Sequence, residues 1–477
     1  MSKFNQKTEM KTINRNGNVA YKMGDELKLI TQVLTSFFNE KKFYGDNSNE
    51  IIELARTVCS NKPRFIANLS LYARKVFNMR SISHVLVAIL ANDIKGKKYV
   101  RDLINKVVLR ADDLTEIVAY YISMYGKPIP NSIKKGVADK LNDFTEYEFA
   151  KYKGKGKSVS MKDLIMLSHP KAKDDEQNNL FKKVLDGKLE TPYTWEVELS
   201  TKGNTKEVWE KLIDSEKVGY MALLRNLRNI LNANPNNIEK VYETISNKER
   251  VVKSKQLPFR FMTAYKMLSQ EPFSRKGLEA IEKALDHSVA NIKPIKGRTV
   301  IAVDTSGSMG WNISNNSIVT CSDIALTLGA IANQICEDAV IMTFDNHLNV
   351  VNLSTSNSVL SNVNSIHVNG GGTNMSLPFE KMIEDKIFAD RVIVLSDNEV
   401  NYGTKTIQVL ANNYRKEVNE NLWVHAIDLQ GYGTQQFIGG KTNIIAGWSE
   451  KVLEFIDLAE NGFETLLKRI ANYEFKG

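Results

Sequence analysis

Between Thr299 and Gln430 the chain holds four short apolar runs, TVIAVD, AVIMTFD, RVIVLSD and LWVHAIDLQ, with a helical segment, SDIALTLGAIANQI, after the first. Runs that are apolar at nearly every position, rather than at alternate ones, belong to strands covered on both faces. Strands alternating with helices predict a doubly wound, Rossmann-like parallel sheet. HLNVVNL reads as a further strand and KVLEFIDLAENGFETLLKRIANYEF as a closing helix.

Upstream of IKPIKGR, Ile292 to Arg298, the period changes from strand to helix. RFIANLSLYARKVF carries Phe65, Ile66, Leu69, Tyr72, Ala73 and Val76 at helical spacing, and SHVLVAILA continues with Val85, Leu86, Ile89 and Leu90. VGYMALLRNLRNIL sets Tyr220, Leu223, Leu224, Leu227 and Leu231 on one face, with Arg225 and Arg228 toward another. Short amphipathic helices in succession suit a stack of helical pairs or a compact helical domain. The Pro/Gly-containing IKPIKGR stretch marks the boundary, giving a helical module over 1–297 and an α/β module over 298–477.

Charge divides at the same place. Residues 1–300 hold 53 Lys+Arg against 35 Asp+Glu, and residues 301–477 hold 11 against 20. A basic body beside an acidic module is the footprint of a polyanion binder with a second, differently employed part. KYKGKGKSVS, Lys151 to Ser160, concentrates four lysines in ten residues as a basic loop. The 477 residues exceed one ordinary core, and 42% hydrophobic with 25% charged residues is a globular balance. No apolar run reaches the roughly 18 residues of a membrane span. The polar start MSKFNQKTEMKTINRNG lacks the apolar centre of a secretory signal. Cys59, Cys321 and Cys336 suggest neither a disulfide frame nor a zinc knuckle, and point to a reducing, cytoplasmic setting.

The first apolar run opens into VDTSGSMG. In an open α/β sheet, ligands sit outside the carboxyl ends of the strands. TVIAVD places Asp304 there, and RVIVLSD places Asp397 there. Between them GGGTN supplies a sharply bending backbone and the Thr373 hydroxyl. Asp304, Ser306, Ser308, Thr373 and Asp397 are hard oxygen donors without His or Cys, a set that favours Mg²⁺, with Mn²⁺ or Ca²⁺ as other choices. The competing role for the serines is helix capping.

In order and spacing, DxSxS, the Gly-rich Thr turn and the strand-end Asp resemble the metal-ion-dependent adhesion site of von Willebrand factor A domains. That resemblance implies these five residues as ligands and a metal that bridges to an acidic group of a partner protein. KDLIMLSHPK (Lys162–Lys171) resembles the signature of the TROVE module, as do NRNGNVAYKM, MALLRNL and LPFRFMTAY. Together the two modules resemble the Ro autoantigen family of ribonucleoproteins and its bacterial and viral relatives. The resemblance implies a HEAT-like helical ring closed by the A domain. It also implies single-stranded RNA ends in a basic central hole, small Y-like RNAs on the outer face, and a role in noncoding-RNA quality control or stability. An intramolecular ring implies a monomer.

Carried over by motif, Lys162 and His169 lie on the signature helix, with Lys151, Lys153 and Lys157 just upstream. Met166 stands where relatives often carry Arg. His169 precedes Pro170 at a helix end, where capping competes with RNA contact. For Arg225 and Arg228, salt bridges between helices compete with phosphate contacts. Tyr72, Tyr220 and Phe261 are expected in the core. The reading is therefore an RNA-binding scaffold, not an enzyme. There is no GxxxxGK[ST] phosphate loop, no Ser–His–Asp set and no second acid cluster for a two-metal nuclease. The rival reading is a metal-dependent adhesion module whose basic body serves solubility.

Overall fold

A computed structural model provides the structure. It describes residues 11–13, 19–21, 25–35, 48–152, 158–256, 258–312, 318–397, 407–429, 437, 441–446, 451–460 and 468–473. Contacts divide the chain into two compact units. One comprises 47–197 with 465–477, the other 1–46 with 198–464.

The first unit is helical. Its helices Pro63–Lys75 and Ser81–Asn92 are buried almost all round rather than along the single stripe the periodicity predicts. Burial on every side forces their polar residues to find internal partners. Ser70 donates to the Ser83 carbonyl at 2.9 Å, and Arg74 donates to the Val107 carbonyl at 3.0 Å. Helix Ala111–Tyr125 brings in an acidic turn. Asp113, fully buried, accepts from Arg74 at 3.2 Å, Arg80 at 2.6 Å and the Leu109 amide at 2.9 Å. Glu116 accepts from His84 at 2.6 Å. Burial opposes the charge of Asp113, yet His84, Arg80 and the Leu109 amide hold its carboxyl below the usual carboxylate range. The last described residues close this core. Ile470 is fully buried, the Asn68 amide donates to the Ala471 carbonyl at 2.7 Å, and Tyr473 meets Tyr72 edge-on at 5.2 Å.

The second unit begins with an antiparallel pair, β1 (Lys11–Ile13) and β2 (Val19–Tyr21), which the sequence reading takes as helical territory. It continues with helices up to Arg275–Val289 and ends in a six-stranded sheet. The strands are β3 (Ile295–Asp304), β4 (Cys336–Phe344), β5 (Leu348–Val351), β6 (Arg391–Ser396), β7 (Trp423–Asp428) and β8 (Thr442–Ala446), in the order β5-β4-β3-β6-β7-β8. The expected parallel sheet is present with one correction: β5 runs antiparallel to β4, because the three-residue span 345–347 can only turn the chain back. β3, β6 and β7 are buried over their central lengths, as covered parallel strands must be. β3 starts at Ile295, inside IKPIKGR, and its register shifts between Ile295 and Arg298. Gly297 supplies the left-handed residue there, at φ 81°.

Helices from the first part of the chain pack directly on this sheet's covering layer. The Thr327 hydroxyl of helix Cys321–Ile335 contacts Met262 Sδ on helix Pro258–Leu268 at 2.7 Å, and Lys266 pairs with Asp323. Asp286 on Arg275–Val289 accepts from the Val359 amide at 2.9 Å. Helix Asp25–Thr35 packs against β8 and helix Lys451–Glu460. The architecture is thus a helical N-terminal region followed by a von Willebrand factor A-like α/β domain.

Candidate functional site

β3 lies at the centre of the sheet, with β4 on one side and β6 on the other, so the strand order reverses between β3 and β6. Their carboxyl ends open the crevice where α/β folds bind ligands. Asp304 ends β3 and Asp397 follows β6; both are buried. Register pairs Val303 with Leu395, which sets Asp304 beside Ser396. The Ser396 hydroxyl donates to one Asp304 oxygen at 2.6 Å, and the Ser306 amide to the other at 2.9 Å. Past Asp304 the chain turns through a 3₁₀ segment, Gly307–Gly310, bringing the Ser306 and Ser308 hydroxyls to 3.2 Å of each other.

The Gly-rich turn is strapped to this loop. The Gly370 amide donates to the Thr305 carbonyl at 3.1 Å, and the Gly307 amide to the Gly371 carbonyl at 2.8 Å. Gly370 has φ 80°, and a Cβ on Gly371 would lie 2.9 Å from an Asp345 carboxylate oxygen. Only glycine meets both demands without displacing the loop. Thr373 is carried in on this turn and is buried. The arrangement converges two carboxylates and two paired serine hydroxyls, with the Thr373 turn strapped alongside.

Burial is the largest influence on Asp304 and, with Asp397 beside it, pushes its carboxyl up to about 7 against the serine hydrogen bonds. Two acidic groups buried together are costly unless a cation compensates them. The donors are hard oxygens throughout, the type that suits a magnesium-like ion. On both counts the residues fit a divalent cation.

Asp345 escapes the sequence reading. It follows β4, is buried, and accepts from the His347 amide at 2.7 Å and the Gly371 amide at 3.3 Å; its carbonyl accepts from the Asn374 amide at 2.9 Å. It therefore holds the glycine turn in place. A signal was available: AVIMTFD ends in Asp as TVIAVD and RVIVLSD do, and β7 ends likewise in the buried Asp428.

The candidate RNA contacts fall in both units. Lys151 ends helix Glu146–Lys151, exposed, with its ammonium 5.6 Å from the Tyr147 and Tyr152 rings. Lys153 and Lys157 lie outside the described residues. Lys162 donates to the Leu185 carbonyl at 2.8 Å, so its ammonium caps the end of helix Asp175–Asp186. His169 ends helix Met161–Ser168 in the left-handed conformation, φ 46°, and its backbone amide makes the capping bond to Ile165 while the residue is exposed. On helix Tyr220–Ala233, Arg225 is exposed and Arg228 lies 3.8 Å from Glu271. The buried face there uses Ile230 instead of the expected Leu231. Tyr72 and Phe261 are in the core; Tyr220 is half-buried, its hydroxyl donating to the Ile245 carbonyl at 2.7 Å.

Comparison with known proteins adds family and fold. A TROVE domain matches residues 28–187 and 187–282, and a Ro60 vWA domain matches 298–435. Telomerase protein component 1 of Rattus norvegicus is 25% identical over 329 residues, covering 51% of this chain and 12% of that protein. Its Mus musculus counterpart is 26% identical over 324 residues, covering 50% and 12%. The chain thus spans about an eighth of the length of these relatives. The crystal structure of the Deinococcus radiodurans RO (RSR) protein superposes with a TM-score of 0.67 at 17% identity, over 94% of this chain and 99% of that one. With the TROVE match covering more than half the chain and the Ro-type A domain following it, this protein belongs to the Ro family.

Proposed function

We propose that this protein is an RNA-binding scaffold. It takes small structured, Y-like RNAs and misfolded noncoding RNAs, receives single-stranded 3′ ends in a basic central hole, and serves RNA quality control or stability. The observation that carries this is the coincidence of the TROVE match with the basic part of the chain, where 53 Lys+Arg stand against 35 Asp+Glu over residues 1–300. Lysine and arginine neutralise phosphates with little regard to sequence, and a passage sized for one strand selects unpaired ends by exclusion of duplex. Lys151, His169, Arg225 and Arg228 are exposed and suited to phosphate contact. No residue is assigned a catalytic role.

In this reading Asp304, Ser306, Ser308, Thr373 and Asp397 hold a divalent cation, Mg²⁺ first. A bound cation there would neutralise the buried carboxylates and offer an open position to a carboxylate of a partner protein.

The test is fluorescence anisotropy over a salt series with three ligands: a hairpin with a single-stranded 3′ tail, the blunt hairpin, and double-stranded DNA. The expected result is tight binding of the tailed RNA, much weaker binding of the other two, and a steep salt slope. Equal weak binding of all three would sink the proposal and favour the adhesion-module reading.

A further inference from the structure

A recess that none of these roles uses lies on helices Pro258–Leu268 and Arg275–Val289 and the turn between them. Phe273 stands in that turn with 95% of its surface exposed and φ 57°. The left-handed region is unfavourable for any bulky side chain, and an exposed phenyl ring gains nothing from solvent. The turn is nonetheless fixed. The Glu271 amide donates to the Leu268 carbonyl at 2.9 Å, the Glu271 carboxylate lies 3.8 Å from Arg228, and the buried Ser274 accepts from the Leu278 amide at 2.9 Å through its carbonyl.

The ring borders an open groove of about 420 Å³, lined also by Tyr265, Arg275, Leu278, Glu279 and Glu282. That volume lies within the range of about 300–1,000 Å³ of small-molecule sites. Its chemistry is two aromatic rings, a guanidinium and two carboxylates. Aromatic faces stack on nucleobases. Ionised carboxylates only accept hydrogen bonds, so they select a donor edge. Glu279 accepts from Arg275 at 3.0 Å, and Glu282 accepts from the Ser358 hydroxyl; each retains free acceptor sites. Guanine is the base whose pairing edge presents two adjacent donors, N1–H and N2–H₂. Uracil presents a carbonyl on each side of its single N–H, which a carboxylate repels.

We propose that this groove holds one unpaired guanine of the bound RNA, stacked on Phe273, with its donor edge toward Glu279 and Glu282 and the adjoining phosphate toward Arg275. The assignment rests on the RNA-binding reading above.

The experiment uses labelled dodecamers of uridine alone, with one central guanosine, and with one central adenosine. Binding to the full chain is read by anisotropy for wild type, Phe273→Ala, Phe273→Tyr and Glu279→Gln. The wild type binds the guanosine oligomer about tenfold more tightly than the uridine one, the scale of one stacked base. Phe273→Ala abolishes that preference while binding of the uridine oligomer is unchanged, and Phe273→Tyr restores it. Glu279→Gln narrows the gap between guanosine and adenosine. A preference that survives in Phe273→Ala overturns the groove alone. Competition by GMP as strong as by the guanosine oligomer overturns the RNA assignment in favour of a free nucleotide. A wild type that binds none of the three oligomers overturns the RNA reading and the groove with it.

Discussion

At the scale of single residues, the candidate site turns on two buried carboxylates, Asp304 and Asp397, held at the ends of neighbouring strands. Asp304 and Asp397 could be placed because each ends an apolar strand, and the structure sets them on neighbouring strands. Asp345 shares their strand-end position, but its role, accepting from the His347 amide and from the Gly371 amide of the glycine turn, is a contact that only the folded loop creates. Lys162 shows what the motif alone omits: besides the RNA role its motif suggests, its exposed ammonium donates to the Leu185 carbonyl at a helix terminus. A buried carboxylate pair without a cation is strained by its own charge, so the cation should appear as stability. Magnesium at about 100 times its dissociation constant adds about 2.7 kcal/mol to the folded state. The melting temperature of the α/β unit is therefore expected to rise with Mg²⁺ in the wild type. It is expected to stay flat in Asp304→Ala, which removes the carboxylate that Ser306 and Ser396 orient. A magnesium response that persists in that variant would dismiss the metal role.

At the scale of elements, strands β3, β4, β6 and β7 were legible as continuous apolar runs, and the helices as apolar spacings of three and four. The direction of β5 was not legible, since two half-buried and two exposed residues carry no periodic signal and direction is set by the turn before them. The closing helix was legible, and the structure describes it over Lys451–Glu460, but its docking depends on one polar cluster. Glu460, at the end of Lys451–Glu460, accepts from Arg391 at 2.6 and 2.9 Å and faces His425 at 2.8 Å. Burial opposes its charge, yet the bonds from His425 and Arg391 prevail and hold it at about 2. His425 is fully buried, and burial, its largest influence, lowers its pKa. It is then neutral near pH 7, donating from Nε2 to Glu460 and accepting at Nδ1 from Asn443 at 3.2 Å. Both groups have depressed values in the folded state, so both contribute stability that is present at neutral pH and lost on acidification. For Glu460 the loss begins below its ordinary 4.5 and runs toward 2, on the order of 3 kcal/mol in all. Urea unfolding of the α/β unit between about pH 5 and about pH 3 should show this decline. Glu460→Gln should start lower at neutral pH and decline less, and identical pH slopes in the two proteins would contradict the assignment.

At the scale of the whole molecule, the change from helical to strand texture and from basic to acidic charge was visible in the sequence, because both are local sums. The membership of the compact units was not. Residues 465–477 join 47–197, and residues 1–46 join 198–464, pairings between segments far apart in the chain that no local pattern encodes. The C-terminal segment completes the helical core that holds Asn68 and Tyr72. If Asn68 lost Ala471, a buried amide would be left without its acceptor, which costs about 1–3 kcal/mol. Ile470, fully buried, should cost about 2–5 kcal/mol as Ala, the range for deleting core methyl groups. The decisive point is where the loss appears. Ile470→Ala should lower the melting of the helical unit and raise proteolytic cleavage within 47–197. The Mg²⁺ response of the α/β unit should be unchanged, although residue 470 lies only ten positions beyond Glu460 in sequence. Destabilisation confined to the α/β unit would show that the segment belongs to the sheet's covering layer instead.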